Sequence, residues 1–175
     1  MKSVIAMTML MAIPAGVGAV TADWEDSAEE WSASQTLPAS RLTSQTRKAT
    51  WFGVGALELI VELWGGDAAA VERSVSEDLS GRAKLVLWVR LSEQAPKGIR
   101  ARLEVDAGKD LLAGEWSPSL PRPGHADEPE GSSWTALTLD APEEGAHADK
   151  IRVVFRAGTG VAYTGSVYLD HLITK

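Results

Sequence analysis

The stretch Tyr163-Thr164-Gly165-Ser166-Val167-Tyr168-Leu169-Asp170-His171-Leu172-Ile173, near the carboxyl end of the chain, decides the fold. It has the pattern of a glycine turn that leads into a β-strand, with one acidic residue, Asp170, among apolar neighbours. A carboxylate is costly to bury unless hydrogen-bond donors or a cation meet it. Bound Ca²⁺ is one such cation. The stretch therefore predicts a closing strand whose carboxylate has a dedicated partner.

Alternation with period two runs through the rest of the chain. Apolar side chains occupy every second position in residues 57–63, 85–91, 101–105 and 151–155. Such alternation buries one face of a strand and leaves the other open to water. Turn-forming residues, such as Gly65-Gly66-Asp67 and Ala157-Gly158-Thr159-Gly160, separate these runs. We therefore predict an all-β domain built as an antiparallel β-sandwich, without a long amphipathic helix.

Two segments have no such pattern. Residues 32–50 are rich in Ser, Thr, Gln and Arg, and we expect a strand that starts near Trp31 and then a loop. Residues 117–133 contain four prolines among glycines and charged residues. Proline does not fit a central strand, so we expect a long exposed loop there.

The amino terminus has the three parts of a secretory signal peptide. Met1-Lys2 gives a positive start, residues 4–20 are apolar or small, and Val20-Thr21-Ala22 supplies small residues for cleavage. The uninterrupted apolar core is too short to span a bilayer. The chain has no cysteine, which excludes a lipoprotein anchor. We predict a signal peptide at residues 1–22, a single domain at residues 23–175, and a secreted or periplasmic protein.

The charge of the chain limits its partners. The formal net charge is −7, and removal of Lys2 with the leader makes it more negative. A negative protein is a poor partner for nucleic acid or for anionic membranes. No second apolar run approaches the length of a membrane span, so we expect no membrane span in the mature chain.

Four motifs follow one another along the chain. The first is the acidic-aromatic opening Asp23-Trp24-Glu25-Asp26 with Trp31, and the second is the glycine-led strand Gly55-Ala56-Leu57-Glu58-Leu59. The third is the turn Asp78-Leu79-Ser80-Gly81 that enters residues 84–91, with residues 134–140 further on, and the fourth is the closing strand Gly165-Ser166-Val167-Tyr168-Leu169-Asp170. In this order they resemble the motifs of carbohydrate-binding modules with the galactose-binding-like jelly-roll fold. The resemblance covers nearly all of residues 23–175 and implies a non-catalytic binding domain of this fold.

The resemblance also implies a structural Ca²⁺ ion where the first and last strands meet. At the matching positions, Glu25 and Asp170 would be its carboxylate ligands, and backbone carbonyls would complete the shell. The sequence departs from the pattern between Ser32 and Val54, where no Asp or Glu occurs. Arg47 or Lys48 is the alternative partner, since either cation can pair directly with Asp170.

Tryptophans and arginines are the candidate ligand-binding residues. Leu87 and Val89 occupy the positions of their strand that are expected to face the core, so Trp88 and Arg90 should point to the opposite face. If that face is the concave sheet surface, Trp88 is a platform for a sugar ring. Arg102, Arg152 and Arg156 would then add polar contacts from other strands. The alternatives are that a loop covers Trp88, that the strand is buried on both faces, or that the arginines form only a solvated surface.

The remaining tryptophans divide into two groups. Trp51, Trp64 and Trp116 lie near predicted strand ends or turns, where a ligand could be recognised. Trp51 and Trp64, which have glycines nearby, are the better candidates for ligand binding, with a partly buried structural role as the alternative. Trp24, Trp31 and Trp134 are expected to be structural or core residues.

Nothing in the sequence indicates catalysis. The three histidines are scattered, there is no cysteine nucleophile, and no Gly-x-Ser-x-Gly turn or phosphate-binding glycine loop occurs. The leading hypothesis is a secreted, non-catalytic domain that binds a poly- or oligosaccharide. The alternative is an extracellular or envelope domain that binds a protein, and a β-sandwich glycoside hydrolase or lyase ranks third.

Overall fold

Ten β-strands form the described part of the chain. The computed structural model describes residues 22–37, 39–51, 53–79, 84–123, 133–141 and 146–175. In chain order the strands are β1 Ser32–Ala33, β2 Ser40–Thr46, β3 Ala56–Trp64, β4 Ala68–Asp78, β5 Lys84–Leu91, β6 Ile99–Ala107, β7 Asp110–Ala113, β8 Thr135–Asp140, β9 His147–Ala157 and β10 Ala162–Thr174.

The strands pair into two five-stranded antiparallel sheets. The first sheet has the order β1-β4-β9-β6-β7, and the second has the order β2-β3-β10-β5-β8. Non-consecutive strands are neighbours in both sheets, so most of the pairing is between distant parts of the chain. The prediction of an all-β antiparallel sandwich is confirmed.

The alternating apolar residues build the core between the two sheets. β5 contributes Leu85, Leu87, Val89 and Leu91, all without exposed surface, while Trp88 and Arg90 point to the opposite face. The inward rows of the other long strands follow the same rule, in Leu57, Leu59, Val61 and Leu63 of β3, Ile99, Ala101, Leu103 and Val105 of β6, and Ile151, Val153 and Phe155 of β9. Burial of these rows is the main source of folding free energy, at about 25 cal/mol per Å² of apolar surface.

The closing strand lies in the centre of the second sheet. β10 pairs with β3 on one side and with β5 on the other, and its register with β5 shifts between Asp170 and Ile173. His171 lies at this irregularity with a φ of 55°. Just beyond Asp170, Leu172 and Ala22 exchange two backbone hydrogen bonds of 2.9 and 3.1 Å. Ala22, the last residue of the predicted signal peptide, is thus paired with the closing strand beside the buried carboxylate.

The structure corrects the expectation for residues 32–50. β1 begins directly after Trp31, as expected, but residues 40–46 form β2 rather than a loop. β2 lies at the edge of the second sheet, where one face and one side remain open, and this position tolerates its polar sequence. Residues 1–21 of the predicted signal peptide and residues 124–132 of the proline-rich segment lie outside the described residues. The part of the chain that is described contains no helix suited to crossing a membrane.

Candidate functional site

The outer face of the first sheet carries a ladder of ion pairs. β9 lies between β4 and β6, and the register places Arg152 opposite Glu72 on one side and opposite Glu104 on the other. The Arg152 guanidinium contacts Glu72 at 3.2 Å, Glu104 at 3.3 Å and Asp106 at 3.2 Å. Lys150 adds a second contact to Glu72 at 3.1 Å. Arg152 therefore forms ion pairs with carboxylates of both neighbouring strands, and these contacts fix the side chains before any ligand binds.

Trp116 lies beside this ladder and is held by Arg102. The Arg102 guanidinium carbon lies 4.6 Å from the centre of the Trp116 ring, a cation–π contact. The Nε atom of the same arginine donates to Glu104 at 2.7 Å, and Glu104 is almost fully buried. Trp116 is itself half-buried. The ladder thus extends through Arg102 to a fixed aromatic ring.

The ladder changes the ionisation of its members. Burial alone raises the pKa of Glu72, but hydrogen bonds from Lys150, Ser34 and Arg152 outweigh it and hold that pKa below the ordinary value of 4.5. Burial lowers the pKa of Arg152, and its carboxylate partners more than reverse this, so its pKa is raised. Both shifts favour the charged forms.

An open pocket lies at the end of this face, next to Trp116. It has a volume of about 320 Å³ and is lined by Gly66, Gly98, Arg100, Trp116, Arg156 and Thr159, among others. Arg100 of β6 and Arg156 of β9 are direct cross-strand partners, and both are exposed. We call this the arginine pocket.

A second candidate surface lies on the outer face of the second sheet. The Trp51 ring stacks on Trp88, with ring centres 5.8 Å apart and an angle of 12° between the planes. Trp134 and His171 flank this pair, Trp134 at 6.5 Å from Trp51 and His171 at 5.6 Å from Trp88. Trp51 is 50% exposed. Trp88 therefore points to the outer face, as predicted, but it is half-buried because the loop that carries Trp51 covers it.

Two carboxylates hold the loop that carries Trp51. Asp170 is fully buried, and its Oδ2 atom accepts the Trp51 backbone N–H at 2.5 Å. The carboxylate of Glu25 accepts the Val54 N–H at 2.9 and 3.0 Å. Gly53 between them has a φ of 65°, and a Cβ atom there would lie 1.7 Å from Glu25 Oε1. The loop is thus fitted against both carboxylates, and a side chain at residue 53 would displace Glu25.

This geometry bears on the calcium prediction for Glu25 and Asp170. Calcium takes six to eight oxygen ligands, with backbone carbonyls directed at the ion. Here the loop directs N–H groups at both carboxylates. Among the described residues there is no cluster of three or more His, Cys, Asp or Glu side chains suited to a metal. In this geometry amide donors meet both carboxylates without a metal, and calcium binding stays an untested prediction. Lys48, an alternative partner for Asp170, contacts Glu58 at 3.3 Å.

The expectation that Trp88 and the four arginines share one sheet face is wrong. Trp88 and Arg90 are on β5 of the second sheet, whereas Arg102, Arg152 and Arg156 are on β6 and β9 of the first. The two groups therefore lie on opposite sides of the sandwich. Period-two alternation assigns a residue to the inner or outer side of its strand, but it does not say to which sheet the strand belongs.

The other predicted residues are distributed around these surfaces. Arg90 lines an open groove of about 360 Å³ with Lys48 and Tyr168 on the second sheet. Trp64 is 58% exposed at the end of β3, two residues before Gly66 of the arginine pocket. Among the tryptophans expected to be core, Trp24 and Trp31 are buried, whereas Trp134 is only half-buried against Trp51.

The sequence ranks Trp116 below Trp51 and Trp64 as a ligand-binding residue, and it does not indicate Arg100 for this role. Arg100 occupies an outward position in the alternation of β6, in phase with Arg102. This alternation indicates that Arg100 lies on the same outer face of the sheet as Arg102. Trp116 follows β7, a four-residue edge strand that the sequence pattern does not predict. The contact between Trp116 and Arg102 therefore depends on the pairing of β7 with β6, which cannot be predicted from the local sequence.

Solved structures of known proteins have the same fold. The CBM27-1 carbohydrate-binding module of Caldicellulosiruptor saccharolyticus, solved with mannohexaose, is 16% identical and has a TM-score of 0.70, over 90% of this chain and 97% of that module. The CBM22-1 xylan-binding domain of Paenibacillus barcinonensis Xyn10C is 12% identical with a TM-score of 0.53, over 89% and 92%. The K1 adhesin domain of Lys-gingipain from Porphyromonas gingivalis is 15% identical with a TM-score of 0.53, over 90% and 98%.

These similarities define a class by fold. The chain has the jelly-roll β-sandwich fold of carbohydrate-binding modules, which agrees with the resemblance seen in its sequence motifs. No protein-family model matches the chain. No curated protein matches its sequence either.

The ion-pair ladder predicts a pH dependence of stability. The pKa of Glu72 is lowered by folding, so its contribution is fully present above its ordinary pKa of 4.5 and is lost as the pH falls through the lowered value. The variant Glu72→Gln should be less stable than the wild type at pH 7, and the two should converge as the pH falls through the lowered pKa of Glu72. Urea unfolding between pH 3 and 7 measures this. A constant difference over that range would contradict the role of the ladder.

The contact between Asp170 and Trp51 predicts a stability that does not depend on calcium. Asp170→Ala leaves the Trp51 backbone N–H without this buried acceptor, which should lower the free energy of unfolding by about 1–3 kcal/mol. Urea unfolding of both proteins with Ca²⁺ and with EDTA should give the same values in the two solutions. If EDTA destabilises the wild type, the result would support calcium binding. If Asp170→Ala is as stable as the wild type, the result would contradict a stabilising role for the Asp170 carboxylate.

Proposed function

We propose that this domain binds a poly- or oligosaccharide on the outer face of its first sheet, through exposed aromatics and arginines, without catalysis. The observation that carries this proposal is Trp116, fixed by Arg102 at 4.6 Å beside an open pocket. A sugar ring packs its C–H groups on a flat aromatic ring and uses its hydroxyls for hydrogen bonds to polar side chains nearby. This face offers both kinds of group.

The ion-pair ladder supports this role because it fixes polar side chains in advance. Arg152 and Arg102 are held by Glu72 and Glu104, so a ligand would not have to order them. Immobilising a long side chain costs about 0.5–1.5 kcal/mol on binding, and a fixed face avoids much of that cost. The carbohydrate-binding modules of the same fold are consistent with this function.

The same contacts argue against a glycosidase on this face. Glycoside hydrolysis requires a carboxylic acid with a raised pKa to protonate the leaving group. The pKa of Glu72 is lowered, and Arg152 bonds Glu72, Glu104 and Asp106 together. The lowered pKa of Glu72 suits this carboxylate to accepting hydrogen bonds from sugar hydroxyls, not to donating a proton.

We further propose that the domain acts outside the cytoplasm, either secreted or in the periplasm. The charged start, apolar run and small-residue exit of residues 1–22 support this compartment. A chain without cysteine folds there without disulfide exchange.

Binding of an extracellular protein is the second candidate function. Trp51 and Val54 are 50% and 59% exposed on one loop, so this surface presents aromatic and aliphatic groups to the solvent. Trp residues at such positions are frequent anchors in protein interfaces. The adhesin domain of the same fold is consistent with this alternative.

Substitution of Trp116 tests the proposed carbohydrate site. Trp116→Ala should weaken retention of the mature protein in affinity gels that contain a soluble polysaccharide, by about tenfold or more, because the aromatic platform is lost. The panel should include mannan and xylan. The melting temperature of the variant should stay close to that of the wild type, since Trp116 is only half-buried.

Trp51→Ala is the matched control. It removes an exposed tryptophan from the opposite sheet and should leave retention unchanged. The reverse pattern, with binding lost in Trp51→Ala and kept in Trp116→Ala, would move the site to the Trp51–Trp88 stack. No retention on any glycan would overturn the carbohydrate proposal and favour the protein partner.

Processing of the leader can be measured independently. Expression of the full chain in a secreting host should yield a mature protein that begins at Asp23, as determined by mass spectrometry of the intact chain. A protein that retains residues 1–22 and stays in the cytoplasm would contradict the proposed compartment.

A further inference from the structure

Two arginines face each other across the first sheet. Arg100 of β6 and Arg156 of β9 are direct partners in the antiparallel register, and both point to the outer face. Opposite residues in such a pair have Cβ atoms about 5 Å apart, and like charges in these positions are destabilising. On the β4 side, the partner of Arg156 is Ala68, which brings no charge. The arrangement therefore costs stability and has no compensation from the sheet itself.

The neighbouring cations on this face are all neutralised. Lys150, Arg152 and Arg102 each pair with a carboxylate of β4 or β6. Within the described part of the chain, neither Arg100 nor Arg156 forms an ion pair. Arg156 has a single long hydrogen bond, 3.4 Å from its Nε to the Gly66 carbonyl. The chain has 24 acidic and 17 basic residues, so two adjacent arginines without an acid partner are not a consequence of composition.

Both arginines line the arginine pocket together with Trp116. The planar guanidinium donates two parallel hydrogen bonds and matches the geometry of carboxylate, sulfate and phosphate oxygens. Two guanidinium groups on adjacent strands can converge on one anion, which would remove their mutual repulsion. Trp116 supplies an aromatic face beside them. The pocket volume, about 320 Å³, lies in the range of small-ligand sites.

We propose that the arginine pocket binds an anionic sugar residue, whose acidic group is held by Arg100 and Arg156 and whose ring lies on Trp116. The acidic group is a carboxylate, as in a uronic acid, or a sulfate ester. This inference rests on the proposed carbohydrate function and names the class of glycan. The charge of the pocket thus selects acidic polysaccharides over neutral ones.

The experiment compares glycans that differ only in charge. Polygalacturonan and its methyl-esterified form share one backbone, and dextran sulfate and dextran form the second pair. Binding of the mature protein to each is measured by isothermal titration calorimetry at low and high NaCl. We expect at least about tenfold tighter binding to one acidic member than to its neutral partner, and a loss of that preference at high salt. The pair that shows the preference identifies the acidic group.

Variants assign the preference to the pocket. The double variant Arg100→Gln/Arg156→Gln should lose the tenfold preference while Trp116 still contributes to binding. Arg41→Gln is the matched control, because Arg41 is an exposed arginine on the second sheet that pairs with Glu62. It should keep the preference. Without ligand, Arg100→Gln should melt at the same temperature as the wild type or above it, since the substitution removes a like-charge contact.

Each outcome has a separate meaning. Equal binding of acidic and neutral members would overturn this inference and leave the proposed carbohydrate function in place. A preference that survives in the double variant would also overturn it, since the anion would then bind elsewhere. Absence of binding to every glycan would overturn both proposals. A lower melting temperature for Arg100→Gln would mean that the arginine pair stabilises the fold, which contradicts a pair kept for a ligand.

Discussion

Packing of two apolar strand faces against each other is the constraint on which the rest of this structure depends. Leu87 and Val89 of one sheet, and Leu103 and Val153 of the other, have no exposed surface, and their strands cannot turn over without exposing them. The outward residues are fixed by the same requirement. Arg100, Arg152, Arg156 and Trp88 all occupy outward strand positions that the core leaves free.

The two outer faces use these free positions differently. On the first sheet, carboxylates on β4 and β6 flank the arginine between them, and their charges largely cancel. On the second sheet, a loop folds back over the strand, and Trp51 stacks on Trp88. The loop stays in place because Asp170 and Glu25 accept its backbone N–H groups. The buried carboxylate thus has a structural role that amide donors can satisfy in the described geometry.

The sequence predicts which residues of the long strands point inward, and the fold class follows from them. It does not predict strand pairing. Arg90 and Arg152 have the same outward phase in their strands, yet they lie on opposite sides of the sandwich because β5 and β9 join different sheets. β2 has a polar sequence without a clear apolar row and was expected to be a loop. The contact between Trp51 and Asp170 joins residues 119 positions apart, and no local pattern carries such information.

Strand register explains where the charge of the first sheet remains uncompensated. Along β4 the outward residues opposite β9 change from Glu72, which faces Arg152, to Ala68, which faces Arg156. On β6 the change runs from Glu104 to Arg100 over the same rows. An acid at either position would have continued the ladder and neutralised Arg156. The sheet instead ends in two arginines beside Trp116, so the same alternation that builds the charged face leaves, at one end of it, two cations without an acidic partner on the neighbouring strands.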